Sequence, residues 1–191
     1  MTHLVFFCGH AGTGKTTLAR RMIGPLMRSS AAPFCLLDKD ILYGGYSSAA
    51  MTLLTGDPYD RDSPLFLDHL RDPEYRGLID TARDNLELGV SAIVVAPLSR
   101  EVRERRLFDH AWLGVGADVT SRVVWVHTSE ETAHRRIVER GNPNDAYKLA
   151  HWDDYRKRRF VPAGDMAADL LMFDNTAPAS QDYEALLAGI L

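Results

Sequence analysis

Eight residues near the start of the chain, GHAGTGKT at 9–16, restrict the possible folds more than anything else in it. They match G-x-x-x-x-G-K-[ST] at Gly9, Gly14, Lys15 and Thr16, with an apolar run at 4–8 before them and helically spaced Leu18, Met22, Ile23 and Leu26 after them. A strand that turns through glycines into a helix offers backbone N–H groups to an anion, because Gly9, Gly12 and Gly14 carry no side chain to block the approach. Lys15 is expected to reach the β- and γ-phosphates of a nucleoside triphosphate, and the Thr16 hydroxyl to meet a Mg²⁺ that bridges them. The candidate cradle is Gly9, His10, Ala11, Gly12, Thr13, Gly14, Lys15, Thr16 and Thr17. The motif leaves position 10 free, so the His10 ring is expected to pack or to face solvent.

The chain has 191 residues, enough for a closed core over one sheet, and a single domain spanning 1–191 is expected. With 25% charged residues and a formal net charge of -4, it lacks the basic footprint of a nucleic-acid binder. No apolar run approaches the roughly 18 residues of a membrane span, and no basic segment leads into an apolar one at the start. A cytoplasmic protein is therefore expected. Cys8 and Cys35 lie in strand-like runs and read as packing residues, not as disulfide partners or metal ligands.

Strand signals recur at 34–37, 91–96, 122–127 and 170–173. Between them lie helical patterns at 17–27, 64–70, 74–88, 101–112, 129–140 and 145–159, with a closing helix at 182–191. This alternation predicts an α/β fold with a mostly parallel sheet and helices on both faces. Residues 43–76 read as the least regular part, broken by Gly44, Gly45, Gly56, Pro58, Pro64 and Pro73, and are expected to form an insertion over an acceptor site. The 91–96 strand ends at Pro97 without the acid that a Walker-B strand carries. Asp38 and Asp40, at the end of the second strand, are left as the acids that face the phosphate crevice. They share a face if the strand continues through Lys39. Arg136 and Arg140 share a helix face at i,i+4 just before the Gly141-Asn142-Pro143 break, which makes 140–160 a candidate helical lid. His127 is a candidate for an auxiliary polar role, and Asn175 with Thr176 either brackets adenine or forms a plain turn.

Through GHAGTGKT, Asp38-Lys39-Asp40 and Arg136-Ile-Val-Glu-Arg140, the chain resembles the P-loop small-molecule kinases, a group that includes shikimate and gluconate kinases, zeta toxins and polynucleotide kinases. That resemblance implies a five-stranded parallel P-loop NTPase sheet, acids after the second strand that serve the acceptor hydroxyl and the metal, and lid arginines that close over the phosphates. By position, Asp40 looks like the acceptor base, Asp38 a metal or second acceptor ligand, and Arg136 and Arg140 lid residues. ATP and Mg²⁺ are the implied cofactors. The implied partner is a small alcohol: a sugar acid, a nucleoside or a hydroxylated natural product. Residues 43–76 match no acceptor pattern, and Ala96-Pro97-Leu98-Ser99-Arg100 replaces the usual tip of the third strand. An ATP-binding switch read by a partner protein is the alternative, although such a switch has no evident need for the acids at 38 and 40. Slow NTP hydrolysis lacks a recognisable water-positioning glutamine.

Overall fold

Successive residues of a strand face opposite ways, so a strand that is apolar throughout needs cover on both sides. The first strand meets this condition. In the computed structural model, which describes residues 2–191, β1 (Thr2–Cys8) lies at the centre of a five-stranded sheet. In chain order there follow α1 (Lys15–Ser30), β2 (Phe34–Asp38), α2 (Lys39–Thr55), α3 (Pro64–His69), α4 (Arg71–Glu87) and β3 (Ser91–Val95). Then come α5 (Ser99–Arg103), α6 (His110–Leu113), β4 (Val119–His127), α7 (Glu130–Arg140), α8 (Ala146–Ala150), α9 (Trp152–Arg158), β5 (Leu171–Asp174) and α10 (Ser180–Ile190).

The strand order is β2-β3-β1-β4-β5, and every pairing is parallel. Leu4, Phe6 and Cys8 face one core, where Leu78, Ile79 and Ala82 of α4 meet Val94 and Trp125. Val5 and Phe7 face the other, against Leu18, Met22 and Leu26 of α1 and Leu186 and Ile190 of α10. Cys8 is buried and Cys35 partly so, both unpaired. Burial pushes the Cys8 thiol pKa up. No helix among the described residues is long and apolar enough to cross a membrane.

Four stretches differ from the sequence expectation. Residues 43–55 are not irregular: α2 runs unbroken through Gly44 and Gly45. Each interior glycine costs a helix about 1 kcal/mol relative to alanine, but Asp38 caps this one, Ser47 and Met51 are buried in it, and Gly56 ends it in the left-handed conformation. The second strand stops at Asp38 instead of continuing through Lys39, because the Asp38 side chain accepts the Asp40 N–H at 2.9 Å and starts α2. Asp38 and Asp40 are therefore a helix cap and a first-turn residue, not alternate positions of one strand. The helical patterns at 101–112 and 145–159 also divide. The first breaks around Arg105, whose φ is 58°, and the second at His151, between α8 and α9.

Candidate active site

The C-terminal ends of β1, β2 and β3 converge on the turn that follows β1, and Gly9 N–H is tied to the Pro97 carbonyl at 3.3 Å. This turn leaves no room for side chains. Gly12 has φ 79°, and a Cβ there would stand 2.5 Å from the Ala133 carbonyl oxygen; a Cβ on Gly9 would collide with the Val126 carbonyl. Helix α1 then begins with Gly14 as its cap, without a capping side chain or an acid in its first turn. Its first N–H groups have no partner within the helix, so a hollow lined by backbone donors faces the crevice. Lys15 borders the same hollow, with Nζ 3.4 Å from the His10 carbonyl and no carboxylate within ion-pair distance among the described residues. Loss of water holds its pKa below the usual value, and Asp40 and Asp38 offset this only in part. These residues fit a polyphosphate: donors converge, glycines keep the hollow open, and one cation is unpaired.

Across the crevice stands the start of α2. Asp38 is 7% exposed, whereas the Asp40 side chain is 77% exposed. Lys39 Nζ lies 3.1 Å from Asp40 Oδ1 and 3.0 Å from Oε2 of the buried Glu74 on α4, whose other oxygen accepts from Ser47. The crevice walls around the mostly open Asp40 carboxyl cost it some water and push its pKa up, but Lys39, with Lys15 and Arg140 beyond it, outweighs that effect and leaves the pKa below the usual carboxylate value. Asp40 is so exposed that water screens these pairs, and they orient the carboxylate more than they stabilise the fold. No cluster of three or more His, Cys, Asp or Glu side chains suited to a metal occurs among the described residues. Thr16 and Asp38 both line the crevice and are the side chains that could face a Mg²⁺ there.

The segment after α7 roofs the crevice. Arg140 donates through Nε to Asp145 Oδ2 at 2.6 Å, and Asp145 is buried, so the guanidinium is aimed at the crevice from a fixed base. Tyr155 on α9 accepts the Ala11 N–H through its hydroxyl at 2.9 Å, and the Phe160 N–H donates to His10 Nε2 at 3.1 Å. The His10 ring packs edge-on against Trp125 and Phe160, with centroids 5.5 and 5.2 Å away. The roof is thereby bonded directly to the phosphate-binding turn.

A family described as an AAA domain matches residues 4–162, which is most of the chain. The chain belongs to that AAA domain family. No curated protein matches it significantly. Among solved structures, the AAA domain is similar to a sugar kinase from Janibacter (19% identity, TM-score 0.61, 98% of this chain and 93% of that one). It is similar also to the APS kinase of Mycobacterium tuberculosis in complex with AMPPNP and APS (17%, 0.60, 98% and 96%) and to Kti12 of Chaetomium thermophilum in complex with ADP-AlF3 (17%, 0.66, 98% and 96%). At these identities the likeness is one of fold, the P-loop kinase fold.

Within the AAA domain, the two arginines expected to act together point to different places. Arg140 lines the crevice. Arg136 Nη2 instead donates to the Asn175 carbonyl at 2.9 Å, and its buried Nη1, without a partner, lies beside Gly14. Residues four apart on a helix are neighbours at the backbone, but long side chains there can diverge by several ångströms. Asn175 forms more than a plain turn, because its side chain donates to the Thr13 carbonyl at 2.8 Å and fastens the phosphate-binding turn to β5. Thr176 bonds Asp174 within the turn and Thr128, just after β4, across from it. His127 pairs in register with Asp174 and does not line the crevice. Glu74 and Asp62 contribute to the crevice without being marked by any motif, since their partners are remote in sequence.

His10 sets a pH limit on the roof. Burial pushes its pKa down to about 4, and Arg159, Lys15 and Arg103 push the same way. Below the ordinary value near 6.5, the unfolded chain takes up a proton that folded His10 resists until about pH 4, so stability falls as the pH drops through that window. The expected slope is at most about 1.4 kcal/mol per pH unit for this group. Urea titrations of the parent and His10→Gln at pH 7, 5.5 and 4.5 check it: the stability difference between them should shrink on acidification, and a constant difference would refute the assignment.

Proposed function

We propose that this protein is an ATP-dependent phosphotransferase that moves the ATP γ-phosphate to a hydroxyl of a small molecule. The observation that carries this reading is the convergence of the glycine cradle with Lys15, the exposed Asp40 carboxylate and the Arg140 guanidinium on one crevice. Phosphoryl transfer asks a protein mainly for positioning and charge neutralisation, and these groups supply both. Bound ATP·Mg²⁺ would supply the transferable phosphoryl group. Residues 9–17 would hold its phosphates, Thr16 and Asp38 would face the metal, and Lys15 and Arg140 would neutralise charge on the oxygens. Asp40 would orient the acceptor hydroxyl and take its proton. Arg136, on the Asn175 side, would serve the nucleotide and not the transferring group. The roof at 140–160 and the α2–α3 region at 43–76 would enclose the acceptor, all within one domain. Such a reaction suits a cytoplasmic protein, where ATP and Mg²⁺ are supplied.

The test is incubation of the protein with ATP, Mg²⁺ and pooled sugars, nucleosides and hydroxylated natural products, with mass detection of phosphorylated products. ADP formation without any phosphorylated acceptor would replace this reading with hydrolysis. Nucleotide binding without turnover would favour a switch, for which the Tyr155 and Phe160 bonds to the phosphate-binding turn provide the mechanical link. With a substrate in hand, Arg140→Ala should lower kcat by about tenfold or more while KM for ATP changes little, whereas Arg136→Ala should mainly raise KM for ATP. Equal kinetic signatures in the two variants would contradict this division.

A further inference from the structure

Where the loop between α2 and α3 meets the roof, the polar groups of the crevice are unequally satisfied. The cations there are committed: Lys39 to Asp40 and Glu74, Arg71 to Glu101, Arg140 to Asp145, and Lys148 to the Asn144 carbonyl, Asp62 and Asp145. Arg61 spends both Nη atoms on the carbonyls of Gly44, Pro58 and Asp60 and on Ser48 Oγ. Lys15, and the part of the Arg140 guanidinium not bound to Asp145, are reserved for phosphate. The open valences are acceptors instead. Asp62 Oδ2 and Asn144 Oδ1 are buried and accept no hydrogen bond, and both residues line the crevice. The Asp62 side chain is only 10% exposed; Lys148 Nζ stands 3.4 Å from Oδ2, in ion-pair range but without a hydrogen bond, and Arg158 reaches Oδ1 at 3.5 Å. A buried acceptor without a hydrogen bond is costly, and the Lys148 ion pair offsets only the charge on Asp62, so both oxygens are open to donors from outside the chain. A second cavity opens beside Asp62, walled in part by Asp57, Asp60, Tyr59 and Tyr147. It adds carboxylates and hydroxyls to that end of the site but no cation.

We propose that the acceptor presents hydrogen-bond donors, hydroxyls or an amine, to Asp62 and Asn144, so that this site takes polyols and amino-polyols in preference to alcohols bearing a carboxylate, sulfate or phosphate. The proposal rests on the phosphotransferase reading and narrows its substrate class. An anionic group at this end would meet the Asp62 carboxylate, while every cation lining the crevice except Lys15 already has hydrogen-bond or ion-pair partners, Arg61 through neutral groups alone. Hydroxyls or an ammonium would supply the donors that these two oxygens lack.

The experiment loads the full chain with AMPPNP and Mg²⁺ and measures, by calorimetry, binding of three matched probe sets: hexoses and cyclitols, hexosamines and aminocyclitols, and hexonic acids with hexose phosphates. At least one of the first two sets should bind tighter than its acidic counterparts by about tenfold or more. Asp62→Asn should collapse that ratio, with a larger loss for the amino set if the donor is an amine and equal losses if it is a hydroxyl. A merely structural role in holding the roof through Lys148 and Arg158 would weaken all three sets together and leave the ratio standing. Asn144→Ala provides the same readout if Asp62→Asn fails to fold. Tighter binding of the acids, a ratio unchanged in the folded variants, or no binding in any set would overturn the proposal. Repeating the assay with ATP separates it from the reading beneath it: transfer to acids alone sinks this inference and keeps the phosphotransferase, while polyol binding without transfer does the reverse.

Discussion

Lys15→Ala is expected to lower phosphoryl transfer by about 10²–10³-fold and to weaken ATP binding by roughly tenfold or more. Its ammonium stands in a hollow poor in water, with its pKa held down and no carboxylate partner among the described residues. A polyphosphate would supply the missing counter-charge at close range, and nothing else on the turn replaces the lysine as a point charge. Lys15→Arg should rescue poorly, because the planar fork does not fit where the ammonium sits against the His10 carbonyl. Calorimetry with ATP and a product assay on the same preparations decide the matter. Parental affinity together with parental turnover in Lys15→Ala would end the phosphate-cradle assignment.

The second large effect is expected at Asp40. Its lowered pKa keeps it ionised down through the usual carboxylate range, ready to accept a proton but a weak base. Asp40→Asn should therefore cut transfer by about 10²-fold, the lower part of the range for a positioned base, since the phosphoryl transition state asks little of the base itself. ATP and Mg²⁺ affinity should stay near parental. Asp38→Asn should behave differently. Asparagine caps a helix as well as aspartate does, so α2 should survive while the Mg²⁺ concentration for half-maximal rate rises. A Mg²⁺ titration of both variants tests the roles: rescue of Asp40→Asn by metal would exchange them, and less than a tenfold loss in both would leave Asp38 as a cap and Asp40 as a first-turn residue alone.

The phosphate-binding turn was legible in the sequence because the residues that form it, Gly9 to Thr16, are contiguous, although the groups that crowd its glycines, Val126, Ala133 and Asn175, are remote. The parallel sheet was legible for a related reason, since strands covered on both faces show as uninterrupted apolar runs. The DKD stretch was located but its geometry was misjudged. Whether a strand runs on or yields to a helix at Asp38 depends on one cap hydrogen bond, and period-two spacing cannot reveal it. Gly44 and Gly45 misled in the same way, as helix breakers outvoted by the buried Ser47 and Met51 and by sound caps at both ends. The Lys39–Glu74–Ser47 link, the Tyr155 bond to Ala11 and the divergence of Arg136 from Arg140 depend on where distant segments land. Such contacts leave no local trace.

The central position of β1 also governs the order in which the molecule is made. Val5 pairs in register with Ile93 on one side and Arg122 on the other, so the strand that carries the phosphate-binding turn cannot take its place until β3 and β4 have left the ribosome. Until then its apolar residues have no sheet to join, and the entropy of closing two long loops must be met before those pairings contribute. The cradle is thus translated before the strands it must pair with and is built only after them. Nucleotide can stabilise the finished molecule but cannot template its early assembly.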